Sequence, residues 1–329
     1  MPYPSLLIRE TMIHRILGNI FLSSIEDVDG SVDLQKEYGI THVVSVLEGS
    51  VPQVLKEKYQ HLQIEVQDLE TSNLLEHFNT TNEFIDSALV QSTEEGDQKK
   101  HHGAVLVHCA QGVSRSVAVV MAYLMYKYKL KIPQALHAVK RRSESAQPNE
   151  GFMKQLELFQ EMAYSVDKSS SAYRQFLVES SLQDDPSGQS LASSEIFSSN
   201  DSKERAPGSY HLRCKRCRKV LANQGDIETH EMPGTESRQS QFIKTAPNSR
   251  RIVAVADASK TCSHYFLDEP VDWMRAELEK QDIEGKFSCP KCSHKVGGYS
   301  WKGSRCSCGK WMVPALHLQT AKVDEMKTV

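Results

Sequence analysis

Over the first half of the chain, short apolar runs alternate with segments whose apolar residues recur at helical spacing. Residues 8–22 mix apolar and polar positions as one or two opening strands do, and 32–38 read as a short helix. Residues 39–47 (GITHVVSVL) are rich in β-branched side chains, the mark of a buried strand. A further strand is expected over 59–66, then a polar loop, then a helical pattern over 74–89. Residues 92–102 are polar and read as a surface excursion. Residues 103–108 form a continuous apolar strand that runs into Cys109, and 117–128 are apolar nearly all round, as in a buried helix. Pro133 suits the first turn of the next helix, and Asn149 precedes another that carries Phe152, Leu156, Phe159 and Met162. Strands alternating with helices predict an α/β domain, a central sheet flanked by helices, assigned to residues 1–179.

From 180 to 202, nine of 23 residues are serine, so 180–208 is expected to be a disordered linker that cannot bury a core. Residues 209–329 open with a CxxC pair and lack long apolar runs, which predicts a small β-rich domain organised by metal, with a mobile insertion over 231–250. A length of 329 residues fits two domains. The formal net charge of −3 hides an asymmetry between them. Residues 1–202 carry 17 Lys+Arg against 27 Asp+Glu, net −10, while 203–329 carry 22 against 15, net +7, which points to different partners for the two halves. Mean hydropathy is −0.46, and the longest apolar runs fall short of the ~20 residues a bilayer requires, so no membrane association is expected. The N-terminus shows no basic start followed by an apolar stretch, which places the chain in cytoplasm or nucleus.

The run Val107-His108-Cys109-Ala110-Gln111-Gly112-Val113-Ser114-Arg115-Ser116 joins the buried strand to the buried helix. A phosphate above such a helix start meets a ring of backbone N–H groups and the positive end of the helix dipole. Gly112 allows close backbone approach, and Arg115 supplies a planar pair of donors matched to two phosphoryl oxygens. The same field favours the thiolate of Cys109, the form that attacks. Ser116 can donate to that sulfur as it leaves, and His108 can orient the nucleophile. A departing phenolate or alkoxide needs an acid, for which the polar loop 67–73 offers Asp68 and Glu70. Ala110, Gln111, Val113 and Ser114 are uncharged, which favours a phosphoprotein over a substrate bearing several phosphates.

Without Cys109, seven cysteines remain, Cys214, Cys217, Cys262, Cys289, Cys292, Cys306 and Cys308, whereas two tetrahedral sites take eight ligands. By spacing, Cys289, Cys292, Cys306 and Cys308 close one site, and Cys214, Cys217 and Cys262 await one histidine. Among His211, His230, His264 and His294, spacing does not choose between His230 and His264.

The HCAQGVSRS loop resembles that of the cysteine-dependent dual-specificity protein phosphatases, and residues from about 13 to 165 resemble that domain throughout. The resemblance implies a phosphocysteine intermediate, no metal in catalysis and a shallow cleft for phosphotyrosine and phosphoserine/threonine. Residues 68–74 (DLETSNL) are similar to the family's acid loop, which gives the acid to Asp68, and QPNEGF at 147–152 resembles the segment that supports the phosphate loop, through Asn149. The second half resembles the zinc domain of the Yvh-type subfamily. That likeness implies two structural zinc ions, His230 as the eighth ligand, and a role in late maturation of the large ribosomal subunit, in nucleus and cytoplasm. The implied partner is a pre-60S particle, met through protein with rRNA as a candidate contact. Trp273, Trp301 and Trp311 together with the basic charge are compatible with RNA.

Overall fold

The computed structural model describes residues 12–89, 103–194, 209–231, 242–244, 252–254 and 262–327. The chain divides into two compact units, Met1–Tyr173 and Arg174–Val329.

In the first unit, strands β1 (His14–Leu17), β2 (Ile20–Ser24), β3 (Ile40–Val46), β4 (Gln60–Ile64) and β5 (Ala104–Cys109) form one sheet in the order β1-β2-β5-β3-β4. Only the β1/β2 pair is antiparallel; β5 lies between β2 and β3, parallel to both. That central place explains the unbroken apolar run, since every residue of β5 is buried. On one face Val43, Ala104 and Leu106 pack with Leu34 of α1 (Leu34–Tyr38) and Leu55 of α2 (Gln53–Lys58). Helix α3 (Phe78–Leu89) packs against β3, β5 and α4 (Arg115–Tyr128). Helix α4 is buried from Ser116 to Met125, because it also touches α5 (Ile132–Lys140) and α6 (Glu150–Glu161). An element whose whole surface meets protein needs no polar stripe. Asn149 caps α6, its Oδ1 accepting from the Phe152 N–H at 2.9 Å. The surface excursion expected over 92–102 lies outside the described residues.

The second unit begins within α7 (Ser171–Asp184), followed by α8 (Gln189–Ser193). Strands β6 (Tyr210–Cys214), β7 (Val220–Asn223) and β8 (Ile227–Glu228) come next; β9 (Phe242–Lys244), inside the region expected to be an insertion, then pairs with β10 (Ile252–Ala254), just beyond it. Strand β11 (His264–Leu267) and helix α9 (Asp272–Leu278) precede β12 (Glu284–Ser288) and β13 (Lys295–Ser300). The chain ends with β14 (Ser304–Arg305), β15 (Trp311–Met312), β16 (Ala315–Gln319) and β17 (Val323–Lys327). The main sheet has the order β12-β13-β16-β11-β8, and a smaller one β17-β6-β7. Among the described residues no helix is long and apolar enough to cross a membrane.

The structure departs from the linker expected over 180–208 and from a boundary at 179. Residues 180–184 continue α7, α8 follows, and the units divide at Tyr173. Val178, Leu191 and Ala192 are buried in one apolar cluster with Leu212, Phe287, Val296 and Trp301. Averaged composition conceals this, because Leu191 and Ala192 sit among exposed polar neighbours. Residues 195–208 lie outside the described residues. Leu191 is 1 % exposed, so Leu191→Ala should destabilise the second unit by about 2–5 kcal/mol in denaturant unfolding of the full chain, the cost of a buried leucine. A change within ~0.5 kcal/mol, the surface value, would mean that α8 does not belong to this core.

Candidate active site and metal centres

Strand β5 delivers Cys109 to the end of the sheet, where the chain turns through Ala110–Ser114 into α4. Cys109 is buried, and its Sγ accepts from the Gly112 N–H and from the Ser116 hydroxyl, each at 3.2 Å. Gly112 has φ +72, and a Cβ there would stand 2.7 Å from the Ser23 carbonyl oxygen, so the loop is drawn onto β2. The Ile25 N–H donates to the Ala110 carbonyl at 3.4 Å, and Gln147 N–H to that of Val113 at 2.8 Å.

Beside Cys109, His108 is fully buried and its Nε2 lies 2.6 Å from Ser45 Oγ. The same hydroxyl lies 2.8 Å from His61 Nε2. Burial pushes the His108 imidazole down to about 4, the Cys109 backbone opposing and His61 adding to the effect, so the ring is neutral at physiological pH. Burial, then the charge of Lys56, lowers His61 as well. One serine hydroxyl thus links two neutral imidazoles, donating to one and accepting from the other.

Asp68 reaches the mouth of this loop from the segment after β4. Its Oδ1 accepts from Ser114 Oγ at 2.7 Å and from Asn149 Nδ2 at 2.8 Å, and Oδ2 lies 3.7 Å from Arg115 Nε. Arg115 is anchored by donation from Nη1 to the Val66 carbonyl at 3.1 Å. Ser114 is the N-cap of α4 yet makes no capping bond, because its hydroxyl is turned to Asp68 while accepting from the Asn149 N–H at 3.2 Å. Asn149 therefore supports the phosphate loop and also holds Asp68. Glu70, the other acidic residue of the loop, is exposed and points to no described partner in the phosphate loop.

Sequence reasoning did not single out Ser45 and His61 behind His108, nor Ser114 as a tether for Asp68. It also missed Gly151, where a Cβ would overlap the Glu70 carbonyl oxygen, so only glycine lets α6 meet the acid loop there. Gln155 carried a readable signal, being a polar residue at helical spacing from Phe152 and Phe159 on the buried face of α6.

The second unit gathers Cys214, Cys217, Cys289 and Cys292 into one group, and His230, Cys262, Cys306 and Cys308 into another, the ligand atoms of each lying within 4.8 Å of one another. This corrects the pairing expected from spacing. Cys289 and Cys292 precede β13 and Cys306 and Cys308 follow it, and six strand residues carry the chain about 20 Å. The first group instead joins two CxxC turns, one after β6 and one after β12, with Cys214 Sγ 3.7 Å from Cys292 Sγ and Cys217 Sγ 3.5 Å from Cys289 Sγ. In the second, His230 Nε2 is 3.4 Å from Cys262 Sγ, whereas His264 Nδ1 pairs with Ser263 Oγ at 2.8 Å and its ring packs on His317. Metal–ligand bonds of about 2.0–2.3 Å place tetrahedral ligand atoms roughly 3.5–3.8 Å apart, so both donor sets fit zinc.

Residues 20–162 match the family model for the dual specificity phosphatase catalytic domain. The chain is 44% identical over 333 residues to tyrosine-protein phosphatase YVH1 of Saccharomyces cerevisiae, covering 95% of this chain and 91% of that one. It is 32% identical over 301 residues to dual specificity protein phosphatase 12 of Homo sapiens, with 90% and 83% covered. The solved Yvh1 phosphatase domain from Chaetomium thermophilum is 34% identical, spans 47% of this chain and 99% of that one, and superposes with a TM-score of 0.39. With identity sustained across both units and a dual specificity phosphatase domain over residues 20–162, the chain belongs to the Yvh1-type dual-specificity phosphatases, enzymes that remove phosphate from protein tyrosine and serine/threonine.

Proposed function

We propose that this chain dephosphorylates proteins through a covalent phosphocysteine, a reading supported above all by the Cys109 sulfur held between two donors at the start of the loop whose far end carries Arg115, itself paired with Asp68. Arg115 and the loop amides bind the phosphoryl oxygens. The Cys109 thiolate attacks phosphorus, the P–O bond to the leaving group breaks, and Asp68 gives its proton to the departing oxygen. Asp68, now a carboxylate, takes a proton from water as that water attacks phosphorus. The S–P bond breaks, the thiolate is received by the Ser116 hydroxyl, and inorganic phosphate leaves. His108 and Asn149 act by holding Cys109 and Asp68 in place.

The second unit binds two structural zinc ions in this reading, one in each four-ligand group, with no part in the chemistry. Its further role is docking on a pre-60S particle in nucleus and cytoplasm, supported by the net +7 of residues 203–329. Among the three tryptophans, only Trp311 is well exposed, with Arg305 over its ring; Trp301 is buried, and the Trp273 Nε1–H is spent on the Leu221 carbonyl. RNA stacking in this unit therefore rests on Trp311.

Cys109→Ser should abolish hydrolysis of aryl phosphates with the second unit still folded. Asp68→Ala should slow phenyl phosphate by about 10²-fold or more and leave an activated dinitrophenyl ester nearly unchanged. Equal losses on both esters would place the acid elsewhere. Metal analysis of the full chain should give two zinc ions. The double change Cys214→Ser with Cys289→Ser should remove one, and Cys289→Ser with Cys306→Ser both; the reverse would restore the pairing read from spacing. Co-sedimentation with pre-60S particles should survive Cys109→Ser and fail in the variant stripped of zinc, and dependence on Cys109 would count against docking through the second unit.

A further inference from the structure

The face that α6 turns inward is not wholly apolar. Gln155 sits fully buried with Phe152, Leu156 and Phe159. Its amide is spent on the backbone that follows Asp68. Oε1 accepts from the Leu74 N–H at 2.9 Å and the Leu75 N–H at 2.8 Å, and Nε2 donates to the Ser72 carbonyl at 2.8 Å. Leu74 and Leu75 are themselves fully buried, so water cannot replace a lost partner. These three bonds hold a stretch that precedes α3 and belongs to no strand.

The same helix meets the acid loop at two earlier points. Asn149 bonds the Asp68 carboxylate, and Gly151 lies against the Glu70 carbonyl. Positions 149, 151 and 155 of one rigid helix thus run alongside 68, 70 and 72–75. On its other side the loop is tied by Asn73 Nδ2, which donates to Tyr173 Oη at 3.1 Å. Asp68 is half-exposed and could otherwise swing on a segment without regular structure. An acid is useful only within hydrogen-bond reach of the leaving oxygen, so whatever fixes the loop's far leg sets how often the proton is in place.

We infer that Gln155 is a positioning residue for the acid: it pins residues 72–75 so that the Asp68 carboxyl stays beside Ser114 and Arg115 of the phosphate loop. The inference rests on Asp68 being the acid. A buried glutamine serving only to fill the core would give a different signature from one serving proton delivery. The first weakens every substrate alike, whereas the second weakens those whose leaving group needs a proton.

The test uses the full chain. Gln155→Leu keeps the side-chain volume and removes all three bonds. Gln155→Glu keeps the two acceptor bonds and, as a carboxylate, loses the donor to Ser72. Gln155→Leu should lower kcat/KM for phenyl phosphate about tenfold or more, leave dinitrophenyl phosphate within about twofold, and leave inhibition by vanadate, a probe of the phosphate loop, within about twofold. Gln155→Glu should fall between it and the parent. In the Asp68→Ala background, Gln155→Leu should cost nothing further on phenyl phosphate. Equal losses on both esters, weakened vanadate inhibition, an additional loss without Asp68, or no loss at all would each overturn the inference. If Gln155→Leu does not fold, the same comparison with Gln155→Glu decides. Asp68→Ala alone reads the acid assignment, so a failure there is seen before any Gln155 variant is made.

Discussion

The Ser114 hydroxyl is the joint on which the active site turns. It accepts from the backbone of Asn149 and donates to Asp68, so three chain segments far apart in sequence meet at one oxygen. A serine at this position ordinarily caps its own helix, a bond worth on the order of 1 kcal/mol. Here that bond is absent, and the hydroxyl spans from the phosphate loop to the acid. The first-turn amides of α4 consequently face the loop without a side-chain partner from Ser114, which suits them to an anionic group.

Burial is divided between the two sides of the candidate site. Cys109 and His108 lie at the end of a strand enclosed on both sides, where the Ser45 hydroxyl and backbone fix their orientation. Asp68 and Arg115 lie on the open side, held by polar contacts rather than packing. Cys109 is placed by the core, and Asp68 by polar contacts with Ser114, Arg115 and Asn149, the cap of α6.

The strand, loop and helix around Cys109 were legible because each carries a local signal: a continuous apolar run, glycine at the turn and an apolar helix. Asp68 could be narrowed only to a loop by its residue types, since its role depends on partners 46 and 81 residues away, Ser114 and Asn149. The cysteine pairing was misread for the same reason. Spacing informs on turns such as Cys214 to Cys217, but a strand between two pairs separates them, and it is strand pairing that decides which turns meet. The serine-rich stretch misled through averaging, because two side chains, Leu191 and Ala192, are enough to seat a five-residue helix. Trp301 and Trp273 read as candidates for contact, yet Trp301 is buried in the core of the second unit and Trp273 packs half-buried against it.

The interlaced cysteines also govern the order in which the second unit can form during synthesis. The first group spans 78 residues from Cys214 to Cys292, and the second is completed only by Cys308. A ribosome that has released the Cys214–Cys217 turn has exposed two cysteines whose partners are not yet made. Neither group can close on an ion until most of the chain is out, and the group with Cys292 is complete sixteen residues before its neighbour. The first unit ends at Tyr173, so all of its residues, Cys109 among them, are synthesised before the first cysteine of either group.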